Sequence, residues 1–273
     1  LRRSRGIYYT PDDAAHFMAR WLVRQPGGTY LEPSLGNGVF LRAVNDVEKT
    51  YEGAPAHWIG AELDPQMGTD SVQKGHLRSD ELRIGDFLAL DAQPVDGAIA
   101  NPPYVRLRSL DEESRNRALV VSKRVLGETM RTSGSIWMPF VLHMVEFIKD
   151  GGRLAAVLPF DLTYVAYARP LWKHLAQNFG SLRVLRSRRR IFTDINQDVL
   201  ILLAEDKGST TKTVTYEAYE SLDEMIRGES PAGGTIPMDS IVLGERAFQR
   251  SLLPTGVDEL HRQALEDGRL ITA

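Results

Sequence analysis

Short apolar runs alternate with segments of helical periodicity along most of the chain, and this alternation constrains the fold more than any other feature. Strands that alternate with helices build a mostly parallel sheet covered by helices on both faces. The sequence therefore predicts an α/β fold with a doubly wound, mostly parallel, seven-stranded sheet. The predicted strands are residues 29–33, 57–62, 82–84, 95–100, 153–158, 182–185 and 198–204.

The composition is that of a soluble globular protein. Of the 273 residues, 42% are hydrophobic and 25% are charged, which is ordinary for a soluble globular chain. No apolar run approaches the ~20 residues of a membrane span, and the sequence contains no cysteine. The absence of cysteine excludes disulfides, cysteine–zinc sites and cysteine nucleophiles, and the six histidines show no metal-ligand spacing. We expect a cytoplasmic protein without a metal or a membrane partner.

The tetrapeptide Asn101-Pro102-Pro103-Tyr104 follows the predicted strand 95–100 directly. Ligands of open parallel sheets bind where strands end at their carboxyl edge. The tetrapeptide offers an amide side chain, a rigid backbone and an aromatic ring at such a position. These groups suit the binding of a planar group that carries an exocyclic amino nitrogen.

The three preceding strands also end in polar or glycine-rich positions. Glu32 ends the first strand and leads to a turn with Gly36 and Gly38, while Glu62 and Asp86 end the next two. Glycines let a backbone approach a ligand closely, and an acidic strand end can hold ribose hydroxyls or an adenine amino group. A third glycine is missing from the turn, so it is not a pyrophosphate-binding loop. The order of these residues predicts a nucleoside cofactor site.

Two of these motifs resemble those of a known family. The segments 32–38 and 101–104 are similar to the signature motifs of S-adenosylmethionine-dependent N6-adenine DNA methyltransferases, and the position of Tyr9-Thr10-Pro11 ahead of them resembles the γ class. The resemblance spans roughly residues 6–205 and implies a Rossmann-like methyltransferase fold. It also implies that the chain methylates adenine N6 in double-stranded DNA, as the modification enzyme of a restriction–modification or related defence system.

The resemblance assigns roles residue by residue. Asn101, Pro102 and Tyr104 are the expected catalytic residues, with Tyr104 and Phe192 stacking on the target base. S-adenosylmethionine is the expected cofactor. Its expected contacts are Tyr9, Thr10, Pro11, Glu32, Pro33, Gly36, Gly38, Glu62, Leu63, Asp86, Phe87 and Asn101.

Charge is distributed unevenly along the chain. Residues 205–273 hold seven Lys or Arg and thirteen Asp or Glu, a net charge of −6, which leaves +3 on residues 1–204. Local basic patches decide phosphate binding. We predict a polar substrate loop over 105–135, and salt-sensitive DNA binding by this loop and by the run 183–190. The expected phosphate contacts are Arg106, Arg108, Arg186, Arg188, Arg189 and Arg190.

These patterns and the resemblance together predict three regions. The resemblance implies that residues 1–28 close over the cofactor, that 29–229 form the catalytic domain, and that 230–273 form a linker and the start of a C-terminal target-recognition region. The segment 230–234, Ser-Pro-Ala-Gly-Gly, is typical of a linker or long turn. The residues after it are too few for a target-recognition domain, so we expect either a truncated chain or a separate specificity subunit.

Two other functions remain open on the sequence alone. The tetrapeptide would also suit a methyltransferase of RNA or of a protein glutamine amide, which presents a planar amino nitrogen as well. A catalytically incomplete DNA-binding subunit is the other alternative, although such a subunit would need neither Asn101 nor Tyr104.

Overall fold

A nine-stranded sheet organises the part of the chain that the computed structural model describes, residues 10–191 and 198–252. Its strands, in chain order, are β1 (Thr29–Glu32), β2 (His57–Glu62), β3 (Leu82–Ile84), β4 (Val95–Ala100), β5 (Ile148–Pro159), β6 (Phe179–Ser187), β7 (Val199–Lys207), β8 (Thr213–Tyr219) and β9 (Ala232–Pro237). The helices are α1 (Asp12–Leu22), α2 (Val39–Glu48), α3 (Pro65–Gln73), α4 (Glu112–Leu126), α5 (Trp137–Phe147), α6 (Arg169–Asn178), α7 (Leu222–Arg227), α8 (Met238–Leu243) and α9 (Ala247–Arg250).

The first half of the sheet is parallel and follows the predicted alternation of strands and helices. The strand order is β3-β2-β1-β4-β5-β7-β6-β8-β9, and β1 pairs in parallel with both β2 and β4. The chain crosses from β3 to β4 over β2 and β1, which makes the gap between β1 and β4 a topological switch point. Ligands of doubly wound sheets bind at this point. The Asn-Pro-Pro-Tyr tetrapeptide begins at the carboxyl end of β4, beside the end of β1.

The second half of the sheet corrects the predicted strand number. β7 runs antiparallel between β5 and β6, and β8 and β9 extend the sheet beyond the seven predicted strands. The predicted linker was wrong at residues 232–234, because these residues begin β9 and pair with β8 through the register Ala218↔Ala232. The main-chain groups of this glycine-rich segment form hydrogen bonds with β8.

Side chains alternate between two hydrophobic layers along β5. Leu154, Ala156 and Leu158 join the layer that contains α5, while Ala155 and Val157 join the layer that contains α1 and α2. A strand buried on both faces reads as a continuous apolar run, which explains why this strand was readable in the sequence. The two layers hold the carboxyl edge of β1, β4 and β5 in place.

One connecting segment differs from its prediction. The segment 105–135 was predicted as a substrate loop, but it contains the fifteen-residue helix α4, capped by the Asp111 side chain on Ser114 N. Farther along the chain, α6 begins at Arg169, and Pro170 occupies its first turn. Within the described residues, no His, Asp or Glu cluster could hold a metal ion, and no helix has the length and apolarity that crossing a membrane requires.

Candidate active site

Four adjacent strand ends bring together the polar side chains predicted from the sequence. Glu32, Glu62 and Asp86 stand at or just after the carboxyl ends of β1, β2 and β3, and Asn101 follows β4. Since these strands are parallel neighbours, the residues line one edge of the sheet. The predicted cofactor and catalytic residues of this region therefore share one edge.

The Asn101 side chain is held from both of its ends. Its Oδ1 accepts a hydrogen bond from the Tyr104 hydroxyl at 2.7 Å, and its Nδ2 donates to Thr10 Oγ1 at 3.2 Å. The Tyr104 hydroxyl also lies 3.0 Å from the carbonyl oxygen of Val157 on β5. These contacts orient the amide at the end of β4. The Tyr104 ring is half-buried.

The segment before α1 reaches this edge through Thr10, which is buried at 5% exposure. Pro11 follows it and precedes the first turn of α1. The predicted contacts Tyr9 and Phe192 lie outside the described residues. Thr10 therefore gives the predicted closing segment a direct contact with the Asn101 amide.

Glu62 anchors the glycine turn rather than standing free. Its Oε2 accepts from Gly36 N at 2.9 Å, and its Oε1 accepts from Asp64 N at 2.9 Å. The sequence predicted Glu62 only as a cofactor contact, without these backbone hydrogen bonds. Each carboxylate oxygen has a second lone pair, so the backbone contacts leave acceptor capacity for a ligand. The neighbouring Leu63 side chain is 68% exposed at the same edge.

Gly38 occupies a position that other residues adopt only with strain. Its φ is 72°, and a Cβ atom there would lie 2.9 Å from Nδ1 of His76. The group that lies close to the Gly38 backbone is thus the His76 side chain, whereas the sequence predicted the close approach of a ligand. Pro33 is buried, and Gly36 has a φ of 54°.

Replacing Gly38 with alanine is expected to lower the free energy of unfolding more than replacing Gly75. Gly75 has a φ of 71°, but a Cβ atom there would meet no other atom within 4 Å, so it isolates the backbone strain, about 1–2 kcal/mol. The Gly38 variant adds a clash with His76, which we expect to cost at least ~1 kcal/mol more. Urea unfolding of both variants measures the difference. Equal losses would contradict the close packing of His76 on the turn.

Glu32 is the most deeply buried acid at this edge. It is 1% exposed, and its Oε2 has no hydrogen-bond partner among the residues that the structure describes. Burial raises the pKa of Glu32 well above its usual range, and the negative charge of Glu62 raises it further. A backbone hydrogen bond from Leu41 and the charge of Arg42 lower this pKa, but they do not offset burial. An uncompensated buried carboxylate favours a cationic ligand group.

The raised pKa of Glu32 predicts a pH-dependent stability. The folded state holds the Glu32 proton more tightly than the unfolded state, so its contribution is complete below the unfolded pKa and is lost as pH rises through the folded pKa. The slope is at most about 1.4 kcal/mol per pH unit for one proton. Replacing Glu32 with glutamine removes this loss, so the variant should gain stability relative to the parent as pH rises. Urea unfolding across pH tests this, and parallel curves for the two proteins would refute it.

Asp86 and Phe87, both expected cofactor contacts, have partners within the protein. Asp86 Oδ1 accepts from Leu88 N at 3.0 Å, and its Oδ2 pairs with the Arg117 guanidinium of α4 at 3.1 Å. The Phe87 ring is 2% exposed and packs against Phe140. The Phe87 ring is therefore part of the hydrophobic core beside α5.

The predicted phosphate contacts fall into two groups. Arg188 pairs with Glu220 at 2.6 Å, and the Arg186 guanidinium lies 3.9 Å from the centre of the Phe160 ring. The remaining predicted phosphate contacts are exposed, namely Arg106, Arg108, Arg189 and Arg190. Arg106 also donates a hydrogen bond to Ser133 O at 2.9 Å. Arg183, in the same basic run, makes a two-point ion pair with Glu217 on β8.

Two functional candidates escaped the sequence analysis. Arg117 belongs to the predicted substrate loop and was not singled out, yet it forms an ion pair with the expected cofactor contact Asp86. Phe160 directly follows β5 at the same sheet edge and was not singled out. The position of Phe160 directly after a buried strand could have identified it from the sequence. No sequence pattern indicates the pairing of Arg117 with a residue 31 positions earlier.

The chain resembles known proteins at three levels. The family model described as N-6 DNA Methylase matches residues 2–225. The Type II methyltransferase M.AccI of Acinetobacter calcoaceticus is 22% identical over 230 residues, which cover 82% of this chain and 41% of that protein. M.CvrRI of Paramecium bursaria Chlorella virus XZ-6E is 25% identical over 252 residues, which cover 90% and 59%.

Solved structures share the fold. The methyltransferase subunit of a type I restriction-modification system from Streptococcus thermophilus has a TM-score of 0.66 at 18% identity, covering 89% of this chain and 58% of that one. A putative class I S-adenosylmethionine-dependent methyltransferase from Listeria monocytogenes has a TM-score of 0.63 at 16% identity, covering 80% and 68%. The fold is therefore that of S-adenosylmethionine-dependent methyltransferases, as predicted, with two additional strands.

The chain spans well under two thirds of the first curated relatives, with 41%, 36% and 35% of their lengths covered. The family model nevertheless matches most of the chain and includes every predicted catalytic residue. This protein belongs to the N-6 DNA methylase family.

Proposed function

We propose that this chain transfers a methyl group from S-adenosylmethionine to the N6 amino group of adenine in DNA. The observation that carries the proposal is the oriented Asn101 amide at the carboxyl end of β4, held by Tyr104 and Thr10 beside three acidic strand ends. Family membership and the named DNA methyltransferases among the relatives support the same reaction.

The residues at the sheet edge fit the proposed cofactor. S-adenosylmethionine is a nucleoside with a cationic sulfonium and an ammonium group, and the buried Glu32 carboxyl has an oxygen without a partner in the described structure. Glu32 would hold a cationic part, Glu62 with the Gly36 turn would hold the ribose, and Asp86 would accept from the adenine amino group. The bound cofactor supplies the electrophilic methyl group.

The amide and the following carbonyl would act on the amino nitrogen of the substrate. Asn101 Oδ1 and the Pro102 carbonyl oxygen can accept the two N6 hydrogens, which favours a nitrogen lone pair directed toward the methyl group. The Tyr104 hydroxyl now donates to the same Oδ1, and the oxygen has a second lone pair for the substrate. Alignment of the reacting atoms and polar contacts provide the rate enhancement.

The substrate base must leave the DNA duplex before it reaches this edge. Flipping loses stacking energy of a few kcal/mol, and stacking on an aromatic ring recovers ~1–3 kcal/mol per base. The half-buried Tyr104 ring is the proposed partner, and Phe192 remains a proposal from the family resemblance. We also propose DNA phosphate contacts for the exposed Arg108 and Arg189.

Recognition of a target sequence is proposed to require more than this chain's described part. The relatives include methyltransferase subunits of type I restriction-modification systems, and the chain spans about two fifths of M.AccI. A separate specificity subunit or a further recognition domain would supply the sequence readout. The proposed biological role is the modification step of a restriction–modification system.

Tritiated methyl transfer tests the proposed reaction. The protein is incubated with labelled S-adenosylmethionine and, in parallel, with genomic DNA, total RNA and a protein extract. We expect label in DNA that nucleoside analysis identifies as N6-methyladenine. Label confined to RNA or protein would contradict the DNA substrate. No transfer despite confirmed cofactor binding would show that this chain alone does not methylate.

A further inference from the structure

An aromatic residue follows β5 next to the catalytic tetrapeptide. β4 and β5 pair in parallel with the register Ala100↔Ala156, and the Tyr104 hydroxyl reaches the carbonyl oxygen of Val157. Phe160 therefore lies just beyond the strand that supports Tyr104. Both rings are partly buried and pack against the same hydrophobic layer. Phe160 is thus a neighbour of the proposed base pocket through β5.

The Phe160 ring is fixed in position by contacts from two other strands. The Arg186 guanidinium of β6 lies 3.9 Å from the ring centre, within the range of a cation–π contact. The Phe160 backbone N–H donates to Asp198 O at 2.9 Å, just before β7. The Arg186 guanidinium also forms an ion pair with Asp198 at 3.9 Å, which helps to hold it over the ring. These contacts make Phe160 a rigid aromatic surface.

Tyr164 extends this surface toward solvent. Its ring centre lies 6.3 Å from that of Phe160, with the planes at 61°. Tyr164 is 59% exposed, one of few large apolar side chains with such exposure in the described residues. Cations and one acid line the groove beside it, namely Arg169, Arg246 and Glu245. An exposed aromatic ring with neighbouring cations matches the combination by which proteins bind unpaired nucleotides.

We propose that Phe160 and Tyr164 form a stacking site for a nucleobase adjacent to the target adenine in the same DNA strand. This inference rests on the proposed function, because flipping an adenine breaks the stack of the neighbouring base and leaves one of its faces open. Tyr164 covers that face, Phe160 supports the Tyr164 ring edge-on, and Arg186 holds Phe160 in place. Stacking is tolerant of sequence, so the site holds the strand without reading it.

Binding of a short single-stranded oligothymidylate tests this site. Thymine carries no exocyclic amino group, so the probe does not engage the Asn101 amide as adenine would. An abasic oligonucleotide of equal length keeps the phosphates and removes the bases. We expect Tyr164→Ala to weaken oligothymidylate binding by about 5- to 150-fold, the equivalent of ~1–3 kcal/mol for one stacked base. Binding of the abasic probe should not change.

Matched variants separate stacking from folding. Tyr164→Phe keeps the ring and should bind oligothymidylate like the parent, while Phe160→Leu keeps apolar volume without the aromatic face and should weaken it. Tyr164 is mostly exposed, so its replacement should not lower the melting temperature. Unchanged oligothymidylate binding by Tyr164→Ala would overturn the proposal. Equal losses with both probes, or an effect seen only with the matching RNA oligonucleotide, would overturn it as well.

Failure of the stacking site and failure of the proposed reaction give different results. The binding measurement requires no methyl transfer, so it does not depend on the proposed chemistry at Asn101. A parent protein that methylates adenine while Tyr164→Ala binds normally would refute the stacking site alone. A parent protein that fails to methylate DNA, with the Tyr164 effect intact, would refute the reaction alone.

Discussion

Replacing Asn101 with alanine is expected to lower methyl transfer by at least about 10²- to 10³-fold, the loss typical when one preorganised polar contact to a reacting group is removed. The amide oxygen is the proposed acceptor of an N6 hydrogen, and its orientation depends on Tyr104 and Thr10. Cofactor affinity should change little, because the acidic residues at the other strand ends remain. Tritiated methyl transfer and equilibrium dialysis with labelled S-adenosylmethionine measure the two quantities.

A second variant tests whether the acceptor oxygen is the important part. Asn101→Asp keeps an acceptor at this position and loses the N–H donor to Thr10 Oγ1. We expect it to retain more activity than Asn101→Ala and to gain a dependence on the carboxyl protonation state. A fully active alanine variant would refute the proposed chemistry. An alanine variant that no longer binds cofactor would instead assign Asn101 to cofactor binding.

The sequence made the parallel half of the sheet readable because its strands are short apolar runs between helical segments. Val95–Ala100 is buried along nearly all its length, and its carboxyl end carries the Asn-Pro-Pro-Tyr tetrapeptide. β8 and β9 were missed for a physical reason. β9 is an exposed, glycine-rich edge strand whose pairing with β8 defines it, and no local apolar pattern marks such a strand.

The sequence predicted those parts of the candidate site that depend on residues close together in the chain. It did not predict the contacts between residues that are far apart in the chain. Glu32, Glu62, Asp86 and Asn101 share an edge because each ends a strand of the same sheet. Long-range pairs determine the rest. Arg183 was placed in a DNA-binding run, but Glu217, 34 residues away, holds it in a two-point ion pair.

Ring orientation was the other property that the sequence could not provide. Phe87 follows Asp86 as expected, yet its ring points into the core because α5 places aromatic side chains against it. A side chain just after a strand can point toward a ligand at the sheet edge or into the core. For Phe87 the position of α5 determines which of the two it does, and the local sequence does not reveal that position.

Replacing Glu62 with alanine is expected to weaken S-adenosylmethionine binding by about 10²-fold or more, since each lost hydrogen bond to a charged group is worth about 1.5–3 kcal/mol. The buried carboxylate holds Gly36 N and Asp64 N at 2.9 Å each. Its removal frees the glycine turn on one side and the start of α3 on the other. It also removes the proposed acceptor of the ribose hydroxyls, so the cofactor loses both a direct contact and a preformed turn.

Glu81 provides the matched control for Glu62. It is also buried and also accepts from two backbone N–H groups, Trp58 N at 3.0 Å and Arg78 N at 2.7 Å, but at the amino end of β2. Alanine at either position leaves two backbone donors unpaired, so both variants should lose stability, about 1–3 kcal/mol for each unpaired group. Only Glu62→Ala should lose cofactor affinity when both are measured below their melting temperatures. Equal losses of affinity would mean that Glu62 supports the fold and does not shape the cofactor site, because Glu81 acts at the opposite edge of the sheet.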